Sequence, residues 1–281
     1  MQSTDDKSNS TLHPTFSFKS RHPRLLLISI FILAILILCN NNGYCQNKTY
    51  NQFWNEFQFT RPLKGKWALE FNFGQTWTST PVDKNFFHTN SQLYLRAWVH
   101  YYASPRWKLS FSYAYFYNKD VPEIKQSKLP ELRASYQATY FIKKIGYTLS
   151  TRMRLEDRHI LDSNNVYEAS YRYRQQIKLV YPFNSKVIRK NSVYGFSSEE
   201  IYLKTSASVT GSQFFDRNRF TIGAGYSITD DFQLEGSYAN EYLPRNGGNE
   251  IYHALQINLL FNNLFSNITK KIFSGPEKKD Q

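Results

Sequence analysis

Four ionised side chains alternate along "TRMRLEDRHI": Arg152, Arg154, Glu156 and Arg158 occupy every second position, with Met153 and Leu155 between them. A guanidinium is a planar fork that grips carboxylate or phosphate oxygens two at a time. Arginines interleaved with glutamates can therefore do one of two things: satisfy one another, or hold and pass an anion. The same alternation returns in "PELRASYQ", with Glu131 and Arg133, and in "YEASYRYRQQ", with Glu168, Arg172 and Arg174. Glu200, Arg217, Arg219, Glu235 and Glu241 fall on the same face by parity. A period of two belongs to a β-strand, whose successive side chains leave on opposite faces. If the turn "KKIG" sets Glu131 opposite Arg158 and Arg133 opposite Glu156, three neighbouring strands are joined by ion pairs.

Other chemistry finds less support. Downstream of residue 46 the chain has four histidines, His88, His100, His159 and His253. His159 adjoins the Arg/Glu segment and could meet Ser163 as a base meets a nucleophile, yet no G-x-S-x-G setting is present. His159 and His253, the latter near a strand end on the outer face, read as rim or interfacial histidines, and no catalytic residue is assigned. No metal-binding spacing or phosphate-binding glycine loop occurs, and no cofactor or metal is expected; "GAGY" at 223–226 lies inside a strand, where glycine makes room for neighbours. The net charge of +13 raises the question of nucleic acid. The arginines, however, sit inside alternating segments and not in exposed runs, so none is expected to bind.

What must position these groups is a set of long strands. Phe, Tyr and Trp make up 17% of the residues while the mean hydropathy is −0.55, as befits strands that are apolar on one side only. In "KWALEFNFGQTW" one face carries Trp67, Leu69, Phe71, Phe73 and Trp77; in "WKLSFSYAYFY" one face begins with Trp107. Eleven such segments run between residues 51 and 261, and no comparable stretch has a helical period, which predicts an all-β chain. Trp67 and Trp77 stand roughly 25 Å apart along the axis of a tilted strand. That matches the apolar band of a transmembrane barrel edged by aromatic girdles, here Trp67, Trp77 and Trp107. Short connections alternate with longer ones, although 182–191 is long where a short turn is due. Since bacterial barrels have even strand counts, the expectation is a single antiparallel transmembrane β-barrel of ten to twelve strands, an even number, with a polar Arg/Glu lumen. The opposite arrangement, a soluble lipocalin-like binding barrel with its apolar face inward, would leave the arginines in solvent.

Residues 25–39, "LLLISIFILAILILC", are short for a membrane-crossing helix and match the apolar part of a secretory signal, with an uncleaved membrane anchor as the other reading. Residues 1–45 are read as n-region and signal peptide, 46–261 as the barrel, and 262–281 as a charged tail or weak last strand. Both cysteines, Cys39 and Cys45, fall in the leader, which leaves no thiol for catalysis or disulfides in the mature chain.

"RMRLEDR" followed by "YEASYRYRQQ", then "EEIYL" and "FFDRNRFTIGAGY", resembles a Gram-negative outer-membrane family catalogued as domain of unknown function 2490, over roughly residues 50–261. The resemblance implies a signal-bearing outer-membrane barrel and supplies no reaction or substrate. The expected roles are a structural or partner subunit, or a narrow anion-preferring channel. Partners would be outer-membrane lipid, other outer-membrane or periplasmic proteins, and a small anion. The competing class is a lipid-modifying barrel enzyme.

Overall fold

The computed structural model describes residues 47–263 apart from 123–125, 145, 163 and 246–247. The expected leader, its cleavage site and all of the tail beyond residue 263 lie outside the described residues, as does Ser163. Eleven strands form: β1 (Lys48–Pro62), β2 (Trp67–Thr78), β3 (Thr89–Tyr102), β4 (Trp107–Asn118), β5 (Glu131–Lys144), β6 (Tyr147–Leu161), β7 (Tyr167–Pro182), β8 (Val193–Lys204), β9 (Phe215–Ser227), β10 (Phe232–Leu243) and β11 (Glu250–Asn262). They pair in chain order and close on themselves as one barrel.

Closure corrects two expectations. The strand count is odd, and the sheet is not wholly antiparallel. Ten reversals separate β1 from β11, so both run the same way, and they join as a parallel pair from Lys48 opposite Glu250 to Thr60 opposite Asn262. Every other neighbouring pair is antiparallel. Starting at Pro62 and stepping through Ala68, His100, Ser110, Gln137, Arg154, Arg174 and Tyr202, the pairing returns to β1 close to Lys48, about 14 residues from where it left. Such a stagger tilts the strands by about 40–45° and lays one row of side chains obliquely across several levels of the barrel.

The alternation resolves as an inverted protein. Leu155 and Tyr136 are 58% exposed and Phe111 is 42% exposed, whereas Arg154 and Glu156 between them are buried at 7% and 2%. Rings and aliphatic chains face outward all round the sheet, and the charged face is enclosed. The soluble-barrel arrangement is thereby excluded, because its arginines would be the exposed set. Where bulky rings turn inward, the opposing strand provides space: a Cβ on Gly225 would collide with the ring of Tyr194, as one on Gly74 would with Tyr94.

The connections sort by rim. Residues 63–66, 103–106, 145–146, 183–192 and 228–231 share one rim; 79–88, 119–130, 162–166, 205–214 and 244–249 share the other. The segment 183–192 is the long exception on the short-turn rim that the sequence pattern anticipates.

Candidate functional site: the charged lumen

Strands β5 to β9 place their basic and acidic residues on the inner face at successive levels, and carboxylates form the nodes. Glu156, fully enclosed, receives Arg172 at 2.6 Å and Arg174 at 2.7 Å, with Arg154 at 3.6 Å and Arg133 at 3.9 Å. Glu131 takes Arg133 at 2.6 Å and a two-pronged grip from Arg158, whose Nε and Nη2 donate at 2.8 Å each. Glu200 takes Arg152 at 2.6 Å, the fork of Arg174 at 2.9 and 3.0 Å, and the hydroxyl of Tyr202 at 2.8 Å. A buried charge is tolerated when it is paired and its lone pairs are occupied, and each of these nodes meets that condition.

The expected register through "KKIG" is displaced by two residues. Arg133 stands opposite Arg158 and Ser135 opposite Glu156. Only residues 145–146 separate the strands, with Gly146 at φ +91°, so Lys144 and Tyr147 pair and set every later partner. The pairings Glu131–Arg158 and Arg133–Glu156 are then reached on the diagonal, the second of them only loosely.

Two other assigned residues leave the network. Glu168 lies at the long-loop rim and accepts hydrogen bonds from the backbone of Ser208 at 2.6 Å and Val209 at 3.0 Å, and from the Ser208 hydroxyl. It ties the loop 205–214 to the end of β7. Glu235 faces inward but meets the Tyr194 hydroxyl at 2.9 Å and no guanidinium. Arg219 pairs with Glu241 and lies 4.9 Å over the Trp54 ring. Of the girdle, Trp67 and Trp107 face outward at the short-turn rim; Trp77 sits at the other end of β2 against Phe87.

Parity shows further members that were not singled out. Glu56 of β1 holds Arg96 of β3 at 2.9 Å and Asn72 of β2 at 3.0 Å. A bulge opposite Tyr202 turns the consecutive residues Asp216 and Arg217 both inward, where Asp216 also meets Arg172 at 3.3 Å and Arg245 at 3.5 Å. Strict alternation cannot anticipate that pair, since it assigns neighbours to opposite faces. Three lysines, Lys108, Lys178 and Lys204, join the inner face, which is less exclusively arginine than expected.

The centre of the lumen holds a cavity of about 610 Å³. Eleven basic side chains line it, ten of them arginine (among them Arg96, Arg154, Arg172 and Arg219), against six glutamates. Glu156 and Asp216, which pair with these arginines from outside the lining, bring the acidic groups to eight, and the walls remain net cationic. Arg154 is weakly compensated: Glu156 lies 3.6 Å away, its Nε and Nη2 donate to the neutral Gln137 Oε1 at 2.9 and 2.6 Å, and its guanidinium lies 4.9 Å over the Trp98 ring.

The histidines divide. His159 is exposed beside Asp157 at 3.1 Å, on the outer face. His88 meets Asp83 at 2.7 Å in a loop, and His253 meets the Tyr238 hydroxyl outside the barrel at 2.5 Å. His100, to which the sequence assigned no place, is buried in the lumen wall, with Nδ1 2.8 Å from Ser110 Oγ and Nε2 3.2 Å from Glu70. That is the order of groups a hydroxyl nucleophile uses. None of the three lines the central cavity.

Among solved structures, one titled "Bacterial polysaccharide outer membrane secretin" is similar at 12% identity, with 72% of this chain and 67% of that chain covered and a TM-score of 0.48. A NanC porin is similar at 12% identity, with 76% of this chain and 98% of that one covered and a TM-score of 0.46. No curated protein matches the chain. A family model described as "Protein of unknown function (DUF2490)" matches residues 51–252. With the match spanning β1 into β11, the chain belongs to the DUF2490 family.

Proposed function

We propose that this protein is an outer-membrane β-barrel of a Gram-negative bacterium whose lumen is a narrow, anion-preferring passage. The observation that carries this reading is the central cavity, where eleven basic side chains face eight carboxylates once Glu156 and Asp216 are counted with the six lining glutamates. Fixed cations around a water-filled constriction lower the energy of an entering anion and raise that of a cation. The apolar exterior supports a lipid setting, and the short turns would then face the periplasm. The charge network serves the passage by holding the guanidinium groups in place. The protein is read as a non-enzyme: the Ser110–His100–Glu70 chain stiffens the wall near the short-turn rim.

Purified barrel reconstituted in a planar bilayer under a salt gradient should give a reversal potential on the anion side. Arg154→Ala and Arg172→Ala should each reduce that preference, Arg154→Ala with the smaller loss of stability. Absence of current at every voltage, or cation preference, would remove the channel reading and leave a structural or partner role.

A further inference from the structure

The two rims differ in charge. At the long-loop rim Asp83, Asp120 and Asp162 mix with Lys48, Lys84 and Lys128. At the short-turn rim the exposed ionisable side chains are almost all basic: Arg61, Lys64 and Lys66 around the first turn, Arg106 in the second, Lys144 in the third, and Lys186, Arg189 and Lys190 on the extension 183–192. Against them stand Asp230 and Asp231 of the last turn, and Asp230 accepts the Lys190 backbone N–H at 2.8 Å. None of these eight basic side chains forms an ion pair among the described residues, whereas the lumenal arginines are paired throughout. Eight uncompensated cations on one rim repel each other, and an anionic surface would relieve that repulsion.

The position of aromatic residues says what kind of surface. Four successive connections on this rim, three short turns and the longer 183–192, join a cation to an outward ring within three residues along the chain: Lys66 to Trp67, Arg106 to Trp107, Lys144 to Tyr147, and Lys186 to Phe183. The rings are exposed, Trp67 at 48% and Phe183 at 63%. Amphipathic rings on a barrel's outer wall settle at the depth where acyl chains give way to headgroups. Lysine and arginine beside them reach outward to the headgroup layer with their stems along apolar surface. An acidic protein or nucleic acid would have no use for this pairing, whereas a phospholipid has phosphate and acyl chain at just those two levels.

We propose that the short-turn rim is a binding surface for anionic phospholipid, its cations engaging headgroup phosphates and its outward rings the adjoining acyl chains. This rests on the membrane-spanning reading above. The test reconstitutes the barrel in phosphatidylcholine vesicles and in vesicles of equal parts phosphatidylcholine and phosphatidylglycerol. In a Trp77→Phe background, quenching of Trp67 and Trp107 is measured with brominated acyl chains on one lipid or the other. Phosphatidylglycerol should be favoured at the rim by roughly five-fold or more. The preference should vanish at high salt and in Lys66→Gln/Arg106→Gln/Lys144→Gln/Lys186→Gln. Equal quenching by both lipids in an inserted barrel, or a preference that survives the four substitutions, overturns the proposal alone. Binding of polyglutamate to the inserted barrel with no lipid preference also overturns it and assigns the rim to an acidic protein. Failure of the chain to insert into either vesicle overturns this proposal and the membrane-spanning reading together.

Discussion

At the scale of single residues, Glu156 shows how costly a lumenal charge is and how it is sustained. Its carboxylate is enclosed and lies against Arg172 and Arg174, with Arg154 and Arg133 just beyond. Removing one partner from a buried ionic group leaves the others uncompensated, which typically costs 3–5 kcal/mol. Glu156→Gln should therefore lower the unfolding free energy by about 3–5 kcal/mol, measured by urea titration of the folded, heat-modifiable band. A loss under about 1 kcal/mol would mean that water reaches this node and screens it. That Glu156 shares one face with the arginines was legible from alternation, and strand length with the placement of tryptophan turned that face inward. Which guanidinium groups would meet it was not, because Arg172 belongs to the next strand and Arg133 to the preceding one, and their levels depend on register.

At the scale of elements, the turns decide how much of the pattern is usable. Two residues between β5 and β6 fix all the pairings from Lys144–Tyr147 up to Glu131–Ile160, so a two-residue error at the turn shifts every expected ion pair. Parity survives such an error, so the faces were read correctly, and both expected pairs still form, Glu131–Arg158 closely and Arg133–Glu156 loosely, but on the diagonal and not directly opposite. The loop 162–166 shows a second local device. Asp162 Oδ1 accepts the backbone N–H groups of Val166 and Asn164 at 2.8 Å each, and Asn165 takes a left-handed conformation between them at φ +60°. The Val166 N–H holds the Asp162 carboxyl below its ordinary value, with the Asn164 contacts adding to it. A depressed carboxylate stabilises its loop above the unfolded pKa, and that contribution is lost as pH falls through the folded one. The Val166 amide resonance should therefore shift on acidification with a midpoint below about 4, and the transition should be absent in Asp162→Asn. A midpoint above about 4 would show that these hydrogen bonds do not favour the ionised form.

At the scale of the whole molecule, closure is the deciding event. An odd number of alternating strands can close only through a parallel seam, and β1 and β11 supply it with thirteen facing positions from Lys48–Glu250 to Thr60–Asn262. Gln52 and Ala254 face each other across that seam on its lumenal side. The double variant Gln52→Cys/Ala254→Cys should form a disulfide in the folded barrel under mild oxidation, detected as a mobility change after unfolding. Gln52→Cys/Asn258→Cys, displaced four positions along the seam, should not. Reversal of those yields would reject this closure. The same closure makes the cavity, since Glu56 and Trp54 of β1 complete a wall whose arginines come mainly from β3 and β5–β9.

Alternation of polar and apolar residues marked, from the sequence itself, the eleven strand segments, the two chemical faces and the long exception at 183–192, because side-chain parity is a property of each strand on its own; the even count expected of the closed sheet was not among its results. Three features belong to tertiary structure: the diagonal ion pairs, the inward turn of both Asp216 and Arg217, and the parallel seam. Each arises from the relation between strands, from their stagger, a bulge against a neighbour and the need to close the sheet. None leaves a periodic trace within a single segment.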